Sequence, residues 1–364
     1  MNIEKTLDRR FLNYRSILGF YRWQRIKLKI ITDKNASFSD KMWCLRHGFS
    51  VGEYNLYGHE NLRKNYRDYL SLKQYNQLHP INGMFTIWID DKLTVKHLLS
   101  RFSDYLPLYY FDIENGTALR LTDCPDTVKA DGYEGIIELL KQKKKLALKQ
   151  LIGTKGKGFY RLEYVDEKFY ITGKETTEEE LIRLFKSLDH YLVTEFITNH
   201  ETLRKIWPEA TNTLRVLIAN VNQETIVLRS FIRFGTKRSN GVDNAHAGGI
   251  ESIVDEETGK ILFTVSMDMQ GYATKITNHP DSGASFDVVI PHWDMVIDTC
   301  HEICRSYPEL KYWGFDIAIT EEGFKILEIN SLSGLMAAQL RGALLKDPKT
   351  RRVFEQFGLK LKKN

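Results

Sequence analysis

The sequence predicts an α+β chain of two or three lobes, and three observations carry that reading. At 364 residues the chain is too long for one ordinary core. Its strand-like runs come as hairpins, and its helix-like runs are grouped between them. Strands do not alternate singly with helices, as a doubly wound parallel sheet would require.

Residues 1 to about 85 read as mostly helical, with Arg, Lys and aromatics interleaved and a break near His79-Pro80. The first thirty carry eight basic side chains (Lys5, Arg9, Arg10, Arg15, Arg22, Arg25, Lys27, Lys29) against Glu4 and Asp8. Leu12, Ile17, Leu18, Tyr21 and Ile26 fall near helical spacing among them. Such a helix either lies on anionic lipid or packs on the protein with a solvated basic face, and both readings stay open. From Met84 the texture turns to short β-rich runs. Asp90-Asp91-Lys92 then opens an amphipathic helix (Val95, Leu98, Leu99, Phe102), which Leu106-Pro107 closes.

A helix is expected over 133–144, a strand over 146–151, a loop, and returning strands over 159–165 and 168–172. Thr177 followed by Glu180 is a capping-box signature for a helix over 178–188. An apolar strand over 191–197 follows, then strands near 213–221, 224–233 and 261–267, a helix near 292–306, a hairpin over 313–330 and a helical tail. No internal repeat is visible. The expected division is a basic helical region (1–85), a small lobe with its preceding helices (86–190), a C-terminal lobe (191–345) and a basic helical tail (346–364).

Composition narrows the function classes. Apolar residues make up 42% and charged residues 27%, the profile of a globular chain rather than a disordered one. No apolar run approaches the ~18 residues that span a bilayer. The N-terminus, MNIEKTLDRR, is charged where a secretory signal is oily, so a cytoplasmic location is expected. Four cysteines form neither a zinc pattern nor a disulfide framework, and Cys300 and Cys304, one helical turn apart, read as core. A net charge of +5 is mild, and no nucleic-acid module accompanies it, so no nucleic-acid partner is expected.

The loop Gly153-Thr154-Lys155-Gly156-Lys157-Gly158 lies between two expected strands, with Lys149 just before it. Three glycines allow consecutive amides to approach an anion, and the lysines add charge, so phosphate is the natural guest. No Lys-Ser/Thr follows the last glycine, Arg161 stands where a dinucleotide fingerprint needs glycine, and the chain lacks His-Arg-Asp and Asp-Phe-Gly. The three familiar phosphate loops therefore fail, and a plain hairpin turn remains open.

A sharper signal is GFDIAITEEGFKILEIN, residues 314–330. A three-residue loop, Glu321-Glu322-Gly323, pairs Thr320 with Phe324 and sets Asp316 opposite Glu328, with Asn330 two positions on. Opposed side chains have Cβ atoms about 4.5–5.5 Å apart, where two like charges are unfavourable. Two carboxylates and an amide oxygen on one face invite a hard divalent cation, and Mg²⁺ fits best. Phe315, Ile317 and Ile319 would pack the opposite face. Among the remaining pieces, Glu195 sits in an apolar strand where a purine could lie. Arg215, Arg229 and Arg233 offer forked donors for phosphate or carboxylate. His246, in Asn244-Ala-His-Ala-Gly248-Gly249, is a candidate base or a bystander.

Taken in order, these pieces resemble the ATP-grasp superfamily over about residues 85–345, and within it the sugar-transfer-associated group, which the segment MWCLRHGFS (42–50) also resembles. The resemblance implies two α+β lobes gripping ATP. It assigns Lys92, Lys149 and the loop residues Gly153, Thr154, Lys155, Gly156 and Gly158 to the phosphates. Val193, Glu195, Phe196 and Ile197 become the adenine-holding strand, and Asp316, Glu328 and Asn330 the Mg²⁺ ligands. Arg215, Arg233, Lys149 and Asn244 take the catalytic roles at the phosphoryl and acyl sites. Thr154 replaces the serine often found in the loop, and Glu201 is the candidate ribose acid. The activity implied is carboxylate–amine ligation through an acyl phosphate, with a small-molecule acid (a uronic acid or sugar conjugate) and an amine such as an amino acid. An ATP-grasp kinase or a non-catalytic nucleotide-binding module are the alternatives, and contact of residues 1–30 with the inner face of a membrane is a further expectation.

Overall fold

Strands form where β-branched and aromatic residues run in short stretches, and hydrogen bonding gathers them into two antiparallel sheets. The computed structural model describes residues 3–153, 158–239, 243 and 248–360, with side chains from residue 17 onward. In the first sheet the strands are β1 (Tyr109–Glu114), β2 (Thr117–Arg120), β3 (Lys145–Gln150), β4 (Tyr160–Val165), β5 (Lys168–Ile171), β6 (Lys174–Thr176) and β7 (Tyr191–Glu195), ordered β2-β1-β7-β3-β4-β5-β6. Helices Gly132–Lys143 and Glu178–Ser187 bury Ile136, Leu140, Leu181 and Phe185 against it. The second helix carries the expected capping box between Thr177 and Glu180.

The second sheet contains β8 (Thr213–Val221), β9 (Glu224–Phe234), β10 (Ile250–Val254), β11 (Ile261–Met267), β12 (Ala273–Ile276), β13 (Tyr312–Thr320) and β14 (Gly323–Asn330), ordered β12-β11-β10-β9-β8-β13-β14. Alternation along β8 sorts its side chains. Leu214, Val216 and Ile218 enter a core with the helix Trp293–Ser306, which contributes Cys300 and Cys304 as buried free thiols. Leu217 and Ala219 face the other way, under the C-terminal helix Pro348–Gln356. Thr213 and Arg215 continue that second face, where it opens into a cleft.

The N-terminal helix Ile3–Thr32 packs on the helix Leu72–Leu78, burying Trp23 and Ile30. Asn82 ties this region to β13, donating to the Tyr312 carbonyl at 2.8 Å and accepting from the Tyr312 amide at 2.8 Å.

Three expectations are corrected. Residues after Met84 are helical turns, Gly83–Thr86 and Ile87–Asp90, because Phe85, Trp88 and Ile89 are needed on one side at helical spacing. Strand β7, expected to begin the second lobe, lies between β1 and β3 inside the first sheet. The hairpin turn in 313–330 is also shorter than expected. Thr320 pairs Gly323 and Ile319 pairs Phe324, but the register shifts by one beyond Ile317–Ile326, so that Asp316 still meets Glu328. Leu327 is the extra residue of this β-bulge.

Candidate active site

The two sheets flank a cleft of about 660 Å³. From the first sheet, Lys149 reaches it from β3, with Gly153 beyond the strand end. From the second sheet come Arg215, Arg233, Asp316, Glu328 and Asn330. Lys92 joins from the start of the helix Lys92–Leu98, which Asp91 caps by accepting the Thr94 amide at 2.6 Å. Its position is fixed by the preceding turn, since Asp90 accepts from the amide and hydroxyl of Ser331, just past β14. Gly314 leaves room for the chain just past β14, because a Cβ there would lie 1.6 Å from Ser333 Oγ.

Charges of both signs are packed closely here. Arg215 grips Asp316 with two parallel bonds of 2.6 Å, and Arg233 Nη2 adds a third at 2.9 Å. Arg233 also donates to Thr213 Oγ1 at 2.6 Å and lies 3.5 Å from Asp243, which in turn accepts from the Thr213 amide and hydroxyl. Lys92 Nζ stands 3.5 Å from Glu328 Oε2, and Asn330 Nδ2 spans the acid pair, 3.3 Å from Asp316 and 3.1 Å from Glu328.

These contacts separate the acids electrostatically. Burial opposes ionisation of Asp316, but Arg215 and Arg233 outweigh it and hold its carboxyl well below the usual range. For Glu328, burial and then the charge of Asp316 both push the pKa up, with Lys92 countering. Burial and the neighbouring Lys92 bring Lys149 down to about 8. Among the described residues Lys149 has no carboxylate within ion-pair distance.

Among the described residues no set of three or more His, Cys, Asp or Glu side chains is arranged for a metal. The donor set here is two carboxylates and one amide converging on a point, and a half-turn of the Asn330 amide presents its oxygen in place of nitrogen. Asp316 Oδ2 keeps a lone pair beyond its one short bond to Arg215. All three are hard oxygen donors and fit Mg²⁺ completed by phosphate and water.

Several expected residues stand elsewhere. Phe196 and Ile197 line the cleft, but Val193 is buried in the first core. Glu195 turns its carboxylate to the Leu108 amide at 3.2 Å rather than to the cleft. Arg229 donates to its neighbour's carbonyl, and Glu201 is exposed and paired with Lys205, and neither lines the cleft. Gly158 has φ +70° and lies against Tyr191 and Gln150. Thr154, Lys155, Gly156, Asn244 and His246 lie outside the described residues. Asp243, Glu251 and Arg22 line the cleft without having been signalled as site residues. For Glu251 the available signal was a lone acid in the apolar run Ile250–Val254, directly after Gly248-Gly249.

The family described as sugar-transfer associated ATP-grasp matches this chain over residues 72–352. The chain belongs to that family. No curated protein matches this sugar-transfer-associated ATP-grasp chain. Among solved structures, it is similar to the ATP-grasp ligase PsnB complexed with minimal precursor, with 12% identity, a TM-score of 0.39, and coverage of 76% of this chain and 64% of that one. D-alanyl-alanine synthetase A from Vibrio cholerae O1 biovar eltor str. N16961 is similar at 11% identity and TM-score 0.43, covering 75% and 66%. The ADP complex of purK, N5-carboxyaminoimidazole ribonucleotide synthetase, is similar at 11% and 0.40, covering 75% and 58%. The chain thus spans less than two thirds of the length of each of these three.

Proposed function

We propose that this ATP-grasp chain is an ATP-dependent carboxylate–amine ligase. The observation that carries the reading is the convergence in one cleft of Lys92, Lys149, Arg215 and Arg233 on the oxygen set Asp316, Glu328 and Asn330. A substrate carboxylate oxygen attacks the γ-phosphorus of ATP, ADP leaves, and an acyl phosphate forms. An amine nitrogen then attacks the acyl carbon, phosphate departs, and the amine loses a proton to give the amide.

Little covalent chemistry is asked of the protein. Lys92 and Lys149 neutralise the phosphates, and Arg215 and Arg233 present forked donors to the transferring group and the acyl phosphate. Asp316, Glu328 and Asn330 would hold Mg²⁺, which when bound shields the charge on the phosphate oxygens. The family resemblance supports a closing, water-excluding role for the loop 153–158, of which 154–157 lie outside the described residues.

The family's association with sugar transfer supports a sugar-linked acid, such as a uronic acid, and a role in cell-surface polysaccharide synthesis. No described helix is long and apolar enough to cross a membrane. The N-terminal helix exposes Ile17, Phe20, Tyr21, Leu28 and Ile31 alongside exposed Arg25 and Lys29. This supports peripheral contact with anionic lipid at the inner face of a membrane.

The test is product analysis with ATP, Mg²⁺ and a panel of uronic and amino acids, read by mass. ADP, phosphate and an amide formed only when both acid and amine are present bear the reading out. A stable phosphorylated product formed without amine makes the protein a kinase. Nucleotide binding without any product makes it a non-catalytic module.

A further inference from the structure

One buried acid in the cleft is left over from the phosphate and metal sets. Among the carboxylates that line it, Asp316 and Glu328 belong to the metal set, Asp243 accepts from Thr213, Asp90 accepts from Ser331, and Glu209 is exposed. Glu251 is different. It is only 7% exposed, its Oε2 has no hydrogen-bond partner, and among the described residues it makes no ion pair.

Sheet register places Glu251 beside the arginines assigned to the acyl phosphate. On β10 it lies directly opposite Arg233 on β9, a pairing that sets their Cβ atoms about 4.5–5.5 Å apart. Arg233 nevertheless leans the other way, because its partners are Thr213 on β8 and Asp316 on β13. The strand order here is β10-β9-β8-β13-β14, so Glu251 stands on the far side of Arg233 and Arg215 from the Asp316–Glu328 pair. An acyl phosphate held by those arginines has the metal set on one side and an unpaired carboxylate on the other.

We propose that Glu251 is the base that frees the attacking amine. The inference rests on the ligase reading and adds to it a destination for the proton. At neutral pH an alkyl amine arrives as an ammonium, whose nitrogen has no lone pair to give. Glu251 Oε2 takes one proton, the freed lone pair forms the bond to the acyl carbon, and the carbon–oxygen bond to phosphate breaks. A second proton leaves with the phosphate, the third stays on the amide nitrogen, and Glu251 returns its own to water.

Such a base must take and release a proton near the working pH. Burial lifts the Glu251 carboxyl to about 7, against Arg233 and Arg215, which favour its ionised form, and with Asp243, which opposes it. On its other side β11 presents Val265, which carries no charge. From the helical region, burial and then Glu53, Tyr69 and Glu251 push the Tyr57 hydroxyl up, so it stays protonated and donates to the Met336 carbonyl at 3.2 Å.

The experiment offers the full chain MgATP, the uronic-acid panel and one of two nucleophiles. These are the amino-acid panel, or hydroxylamine, which is already neutral at about pH 7 and needs no base. Mass spectrometry reads amide and hydroxamate, and their ratio isolates removal of the ammonium proton from the steps the two products share. Glu251→Gln keeps the shape of the side chain but cannot take the proton, and should lower the ratio by about 100-fold. In the unaltered protein the ratio should rise with pH and level off above about 7. An unchanged ratio in Glu251→Gln overturns the inference. So does a ratio in the unaltered protein that keeps climbing to about pH 9, as it would if water alone took the proton, and this reading stands even where Glu251→Gln does not fold. Hydroxamate without amide from any amino acid also overturns it. Absence of hydroxamate from every acid overturns the ligase reading, and this inference with it.

Discussion

Arg215 on β8 and Asp316 on β13 face each other across a strand pair, joined by two bonds of 2.6 Å and nearly sealed from solvent. Truncating one member of such a pair strands the other charge in the interior. We predict that Arg215→Met lowers unfolding stability by about 3 kcal/mol, the lower end for a broken buried pair because Arg233 remains. Arg215→Lys should recover only part of this, since an ammonium cannot make the two-pronged contact. Urea denaturation of the three proteins checks both statements, and equal midpoints would contradict them.

Glu328 should behave oppositely. Its ionised form is disfavoured by burial and by Asp316, so Glu328→Gln removes a repulsion. The predicted outcome is a melting temperature unchanged or raised, with ATP turnover reduced by about 100-fold or more. Full Mg²⁺-dependent turnover in this variant would end the metal assignment.

Lys149 carries a pH prediction. With its pKa near 8 it is charged below that value and neutral above it. MgADP affinity should therefore fall as pH rises through about 8, and Lys149→Arg, whose charge persists, should flatten the profile. Calorimetry between pH 6.5 and about 9.5 reads the difference. A slope retained in the arginine variant would rule out Lys149 as its source.

Glu53 should show itself in stability rather than in binding. It closes the capping box of the helix Val51–Leu56, and burial lifts its carboxyl to about 7 from an ordinary 4.5, against the Ser50 hydrogen bonds. The folded state then holds a proton that the unfolded chain has released. Stability is full below about pH 4.5 and declines as pH rises through 7, by at most about 3 kcal/mol. Glu53→Gln should remove that decline, and denaturation midpoints at pH 5 and about 8 measure it.

The exposed stripe of the N-terminal helix gives the fifth test. Phe20→Asp with Leu28→Asp should reduce sedimentation with vesicles rich in anionic lipid, and leave binding to neutral vesicles at background. Undiminished sedimentation would remove membrane contact from the functional reading. Arg22 is untouched in this pair, so the cleft is not altered.

The second sheet was largely legible because β8, β9, β13 and β14 announce themselves through alternation and turn residues. The acid pair was legible too, although by a partly mistaken route: the turn is one residue shorter than expected, and the bulge at Leu327 restores the pairing. The hairpin of β1 and β2 turns on Asn115-Gly116, both at positive φ, and its alternation is too short to register. Arg215 was visible as a donor, but its engagement with Asp316 depends on a pairing between strands about a hundred residues apart. Arg22 is the extreme case. Nothing local separates it from the other basic residues of its helix, and only tertiary packing turns it inward.

The bulge also changes what a short stretch of ribbon can deliver. Neighbours along a regular strand must look in opposite directions, whereas Leu327 and Glu328 both border the cleft. One surplus residue thus lets hydrocarbon and anion sit side by side on the same wall. Excising Leu327 would leave Glu328 facing Asp316 while removing one apolar side chain from that wall, so the two contributions can be separated by a single deletion.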